Sequence, residues 1–165
     1  MYKILAVFFL LFSTKVLALQ SVYVQVPAII DSNATVPVAV KNQCNIEQLI
    51  GNQIFLEIKK KYRNIFETKE DKNVADSTFI ELNIISVQSN GGGGGWSGPK
   101  SLSLEINIFQ NGKIVNSTLL ERSSKGGVLG PIKGTCAIYE RIADVLASDT
   151  IKWTKKNHIL SENAK

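Results

Sequence analysis

The chain has 165 residues, 44% of them hydrophobic, and a formal net charge of +5. That apolar fraction fits a folded globule, and the charge is too mild to imply a nucleic-acid partner. The one histidine, His158, lies in a polar C-terminal stretch, which excludes Ser–His–Asp, Cys–His and histidine-based metal chemistry, all of which need a positioned imidazole.

In chain order, Met1-Tyr2-Lys3 is a short positive start, followed by an apolar run from Ile4 to Phe12 and then by Val16-Leu17-Ala18. The apolar run is too short to span a bilayer, and the pattern is that of a secretory signal peptide over residues 1–18, cut near Ala18. A buried core helix with a lysine at its entry is the alternative. No cysteine follows the cut, so a lipid anchor is not expected, and no later segment is apolar enough to span a membrane. The expected organisation is one domain over 19–157 and a frayed polar tail over 158–165.

Val22, Val24 and Val26 alternate with Tyr23 and Gln25, the pattern of a half-buried strand ended by Pro27. Val36, Val38 and Val40 repeat the alternation, but Pro37 has no N–H to donate and reads as an edge strand. From Cys44 to about Tyr62 the period becomes helical, with Ile46, Leu49, Ile50, Ile54 and Ile58 on one stripe. Gly51 in mid-helix costs about 1 kcal/mol relative to alanine. Lys59-Lys60-Lys61-Tyr62-Arg63 closes this helix, and Thr68 to Asp76 reads as a loop.

Ile80, Leu82 and Ile84 alternate with Glu81 and Asn83, and Leu102 to Ile108 alternates with Ser101, Ser103, Glu105 and Asn107. Both read as strands with one wet face. Asn111-Gly112 is a strong hairpin signal, because a type I′ turn needs positive φ at both central residues. That turn sets Gln110 opposite Lys113, Ile108 opposite Val115 and Leu104 opposite Leu119. Between the strands, Gly91 to Gly95 and Trp96 form a glycine-rich connection. A second one runs from Gly126 to Pro131, before Thr135 as a helix cap. Tyr139, Ile142, Ala143, Leu146, Thr150 and Trp153 then form a helical stripe to about Lys155.

These elements predict an α+β fold: a mainly antiparallel sheet of four to five strands with two helices on one face. In an exported chain Cys44 and Cys136 meet an oxidising compartment, where they are expected to pair and to join the two helix beginnings. Two separate thiols are the alternative.

Candidate sites follow from the same residues. Lys59, Lys60, Lys61 and Arg63, with Lys152, Lys155 and Lys156, sit near helix C-termini. The helix dipole favours cations there by about 0.3–1 kcal/mol each. The functional reading brings both clusters to one end of the molecule, where they meet anionic envelope surfaces. Trp96 suits partner contact from a mobile loop, or folds back over the sheet. Glu81 and Glu105 face outward from neighbouring strands and could serve as the carboxylate pair of a hydrolase. An enzyme would set one of them in a concave pocket beside a second acid, and a binding protein would leave both on an open sheet. The Walker spacing is absent, since Lys133 precedes Gly134. The sequons at Asn33 and Asn116 are no more than chance provides.

The stretch Gly126-Gly127…Gly130-Pro131-Ile132-Lys133-Gly134-Thr135-Cys136, continuing Ile138-Tyr139-Glu140-Arg141 to Ile151-Lys152-Trp153, resembles small uncharacterised proteins exported to the bacterial periplasm. Those look like the α+β domains of envelope and transport-auxiliary proteins, in which a cysteine at a helix start pairs with an earlier one. The resemblance covers the last third of the chain plus Cys44. It implies a periplasmic home and carries over no residue beyond the cysteine pair. The chain departs from lipid-anchored auxiliaries in lacking a lipobox cysteine.

The functional expectation is an exported, periplasmic or secreted, non-enzymatic accessory or binding protein, with no cofactor or metal and no nucleic-acid partner. Its partner is expected to be another envelope protein or an anionic envelope surface. A small secreted hydrolase using Glu81 and Glu105, or a secreted inhibitor or effector, is the alternative.

Overall fold

A computed structural model describes residues 20–69, 77–91, 97–125 and 134–165. The segment 1–18 read as a signal peptide, Trp96 with most of its glycine run, and the second glycine-rich stretch lie outside these residues. The elements are β1 (Ser21–Gln25), β2 (Ile29–Thr35), α1 (Val38–Cys44), α2 (Ile46–Lys61), β3 (Ile65–Thr68), β4 (Ser77–Gly91), β5 (Ser97–Gln110), β6 (Lys113–Ser124) and α3 (Thr135–Lys156), then a 3₁₀ turn at Ser161–Asn163.

The fold is α+β, with a mixed six-stranded sheet rather than a mainly antiparallel one of four to five, and with three helices rather than two. The strand order is β3-β1-β4-β5-β6, and β2 also pairs with β4. β1 lies parallel to both β3 and β4, with Val22 opposite Ile65 on one side and Thr78 on the other. Parallel neighbours need a long crossover, and α1 and α2 supply it between β1 and β3. Val22 and Val24 are completely buried because they point into the core that the α2 isoleucines fill, whereas Tyr23, on the opposite face, is half-buried. Period-2 alternation reports which residues share a face and is silent on strand direction, so the parallel half was not legible in the pattern.

The antiparallel half is β4-β5-β6, turned by Asn111 and Gly112 at φ 50 and 73. Gln110 faces Lys113 as expected, but the register then slips. Phe109 pairs with Ile114 and Ile108 with Asn116, which leaves Val115 as the extra residue of a bulge on β6. Leu120, not Leu119, therefore faces Leu104, and Leu119 turns to the other side, 62% exposed.

The segment read as an edge strand at Val36–Val40 is helical. Pro37 caps α1, and its carbonyl accepts from Val40 N at 2.9 Å and Lys41 N at 3.1 Å. Proline is tolerated at a helix start, where its missing N–H has no partner to lose. Only Val40 of the valine trio is buried. Asn45, at φ 44, breaks the chain between α1 and α2. Cys44 thus closes α1 instead of opening the long helix, while Cys136 sits in the first turn of α3. The two are bonded, with Cα atoms 5.1 Å apart.

One core holds the sheet and helices together. Ile46, Ile50, Ile54 and Ile58 of α2, and Ile138, Tyr139, Ile142 and Leu146 of α3, pack over Ile80, Leu82, Ile84, Leu102, Leu104, Ile106 and Ile108. Gly51 is buried in α2 because the β1–β2 connection passes close by, and Ala28 N donates to Glu47 O at 3.0 Å. Among the described residues no helix is long and apolar enough to cross a membrane.

Candidate functional site

Cys44, at the end of α1 just ahead of α2, is bonded to Cys136 in the first turn of α3, and the far ends of α2 and α3 also meet. At α2's end Tyr62 leaves the helix in an extended conformation while its N–H still reaches Ile58 O at 2.9 Å. Its side chain turns inward, 3% exposed, and its hydroxyl lies 3.1 Å from Thr154 Oγ1 on α3. Thr154 spends its single proton on Ile151 O at 3.0 Å, so Tyr62 is the donor of the shared bond. The two helix ends are locked by a buried hydroxyl pair.

The C-terminal residues complete this end. His158, at φ 54, turns the chain out of α3 with its N–H on Lys155 O at 3.1 Å. Leu160 is anchored in the core at 2% exposure. Asn163 is buried and donates through Nδ2 to Gln20 O at 2.6 Å and Arg63 O at 3.1 Å. Ala164 bridges to Tyr62, Lys165 N donates to Lys61 O at 3.1 Å, and Lys165 Nζ donates to Lys59 O at 2.6 Å. The stretch expected to fray instead covers the last carbonyls of α2, which would otherwise lack partners. An apolar pair, Ile159-Leu160, inside a polar tail was the available signal.

A cavity of about 370 Å³ opens between these parts. Lys60 and Lys61 border it from α2, Lys155 and His158 from the end of α3, and Lys165 from the tail, with Tyr62 and Thr154 in its wall. Lys59 and Arg63 border an adjoining recess of about 410 Å³, together with Phe66 and again Tyr62 and Lys165. The two basic clusters therefore meet at one end, as expected, though not as whole clusters. Lys152 is drawn away by Asp149 at 3.0 Å. Lys59 Nζ lies 5.2 Å from the centre of the Phe55 ring. Among the described residues the ion pair at the cavity is Lys60–Glu57. Lys165 and His158 were missed as members of the cluster because no periodicity links a tail to a helix end.

Glu81 and Glu105 take a third arrangement, neither an acid pair in a pocket nor two open carboxylates. Asn107, between them on the sheet's other face, donates through Nδ2 to Glu81 Oε2 at 3.2 Å and to Glu105 Oε2 at 3.1 Å. Asn83 adds a bond to Glu81 Oε2 at 3.0 Å, and Ser117 donates to Asn107 Oδ1 at 2.7 Å. Glu81 is only 5% exposed. Neither carboxylate borders the cavities at the basic end.

No protein-family model matches the sequence, and no curated protein matches it either. Solved structures do. The chain superposes on hypothetical protein CT253 from Chlamydia trachomatis with a TM-score of 0.51 at 9% identity, over 79% of this chain and 95% of that one. At that identity the likeness concerns the fold alone. PelC from Paraburkholderia phytofirmans, crystallised as a dodecamer, gives 0.47 at 13% identity over 78% and 84% of the two chains. A minor lipoprotein from Acinetobacter baumannii gives 0.45 at 10% identity over 86% and 94%.

Proposed function

We propose that this protein is an exported, non-enzymatic accessory or binding protein that works at the cell envelope through its basic end. The observation that carries the reading is the convergence of Lys60, Lys61, Lys155 and Lys165 on one cavity, with Lys59 and Arg63 beside it. Cations held together on a surface attract anionic headgroups by about 1 kcal/mol each near the membrane, an effect that falls off within a Debye length. The Cys44–Cys136 bond supports the exported half of the reading, since such bonds persist in oxidising compartments.

Co-sedimentation with vesicles tests it. Wild-type protein should pellet with phosphatidylglycerol-containing vesicles at low salt and stay in solution with phosphatidylcholine alone. Reversing Lys59, Lys60 and Lys61 to glutamate should abolish pelleting. A wild type that never sediments would sink the reading. The hydrolase alternative has weaker support, because Glu81 and Glu105 are both engaged by the one Asn107 amide.

A further inference from the structure

We propose that the cavity between the ends of α2 and α3 is a discrete pocket for one phosphate monoester group, an inference that rests on the basic-end reading above. A diffuse patch would spread its charges apart. Here three separate chain segments deliver Lys60 and Lys61, Lys155, and Lys165 to the rim of one cavity. The helix dipole accounts for a lysine in each last turn. It accounts as well for the Lys165 ammonium, which donates to Lys59 O in the last turn of α2 at 2.6 Å, but not for all four lysines bordering the same space. Like charges gathered this way repel one another, and Glu57 answers Lys60 alone among the described residues. An anion in the cavity would offset the remainder.

The cavity also has the build of a site. About 370 Å³ lies within the range of small-ligand pockets. Its wall is fixed in advance by the buried Tyr62–Thr154 bond and by the backbone pairing of the tail to α2, so little ordering would accompany binding. Several ammonium groups suit a dianion better than a carboxylate. A phosphate monoester carries about −1.5 to −2 at neutral pH and three acceptor oxygens, and lysine binds phosphate as a point charge. His158 and Ser161 add further donors on the rim. The group could be presented by a lipid headgroup or by a free phosphate monoester.

The test pairs calorimetry with glycerol phosphate and sedimentation with vesicles. Phosphatidic acid, a monoester, and phosphatidylglycerol, a diester, are compared at matched surface charge in phosphatidylcholine. Saturable one-to-one binding of glycerol phosphate is expected. Lys61→Ala with Lys155→Ala should weaken it by about tenfold or more, the worth of one charged hydrogen bond. Lys41→Ala with Lys113→Ala removes the same charge away from the basic end and should change it little. All four lysines are exposed, so these variants should fold, and an unchanged melting temperature checks that they do. A preference for phosphatidic acid assigns the group to a headgroup. Glycerol phosphate binding without that preference assigns it to a free monoester. Equal pelleting on both lipids with no glycerol phosphate binding would overturn the pocket and leave the basic-end reading standing. Equal losses in the two double variants would also overturn it. No pelleting and no calorimetric signal would remove both.

Discussion

Gly51→Ala sets two well-measured effects against each other, and the structure decides which wins. In an exposed helix the change would stabilise by about 1 kcal/mol through propensity alone. A Cβ at Gly51 would lie 3.0 Å from Ala28 N and 3.3 Å from both the carbonyl carbon and Cα of Pro27. These are backbone atoms and cannot rotate aside. Relief requires α2 to lift from the β1–β2 connection, which strains the bond from Ala28 N to Glu47 O. Overpacking of this kind costs about 1–3 kcal/mol, and weakening the hydrogen bond adds up to about 1 kcal/mol. Net destabilisation of about 1–2 kcal/mol is expected, a fall in melting temperature of about 2–8 °C for a chain of this size. Thermal unfolding followed by far-ultraviolet circular dichroism reads this out, with Gly134→Ala as the control. Gly134 precedes α3 at φ −61 with nothing within 4 Å of an added Cβ, so that change should leave the midpoint nearly unmoved. A Gly51→Ala protein that melts higher than wild type would refute the close-approach argument.

Three further outcomes are expected. Replacing Cys44 and Cys136 with serine removes a cross-link spanning 92 residues and should cost about 2–5 kcal/mol in urea unfolding; a midpoint equal to wild type would show the bond does not constrain the chain. Burial pushes the Tyr139 phenol up to about 12, against the opposing hydrogen bond with Ser89. The unfolded phenol ionises first, near 10, so this contribution to stability is intact below pH 10 and is lost as pH climbs toward 12. Tyr139→Phe should flatten that alkaline limb, at the cost of the bond to Gln88 O. Asp149 feels burial, which raises its pKa, but hydrogen bonds from Lys152 and Arg122 outweigh it and hold the carboxyl below its ordinary value. Its contribution is therefore present above the unfolded carboxyl's pKa and lost as pH falls through the folded one. Arg122→Ala should make the acid limb shallower and cost under about 1 kcal/mol, because the Arg122 side chain is 44% exposed. An unchanged acid limb would mean the pair does not tie α3 to β6.

The basic end shows how far the candidate site was legible. Lys59, Lys60 and Lys61 announced themselves as a run, and their place at a helix end followed from the isoleucine stripe before them. That Lys155 would meet them followed once both helices were expected on one face of the sheet. Lys165, the Tyr62–Thr154 lock and the cavity itself depend on a tail folding back across 100 residues, from Asn163 to Arg63, and no local pattern encodes such a return.

Local periodicity was sufficient wherever an element is long and one-sided. The stripes of α2 and α3, the alternation of β4 and β5 and the Asn111-Gly112 turn are all legible, because burying one face of a regular element imposes its repeat on the residues. Short or ambiguous elements were decided by tertiary contacts. Val36–Val40 alternates over too few residues to separate a strand from a helix start, and only Val40 finds the core. The four residues of β3 carry no pattern of their own and become a strand because β1 offers them an edge. The bulge at Val115 and the parallel direction of β1, β2 and β3 likewise have no local signature. Alternation fixes which side chains share a face, whereas the partner and direction of each strand are settled by how the whole chain closes its core.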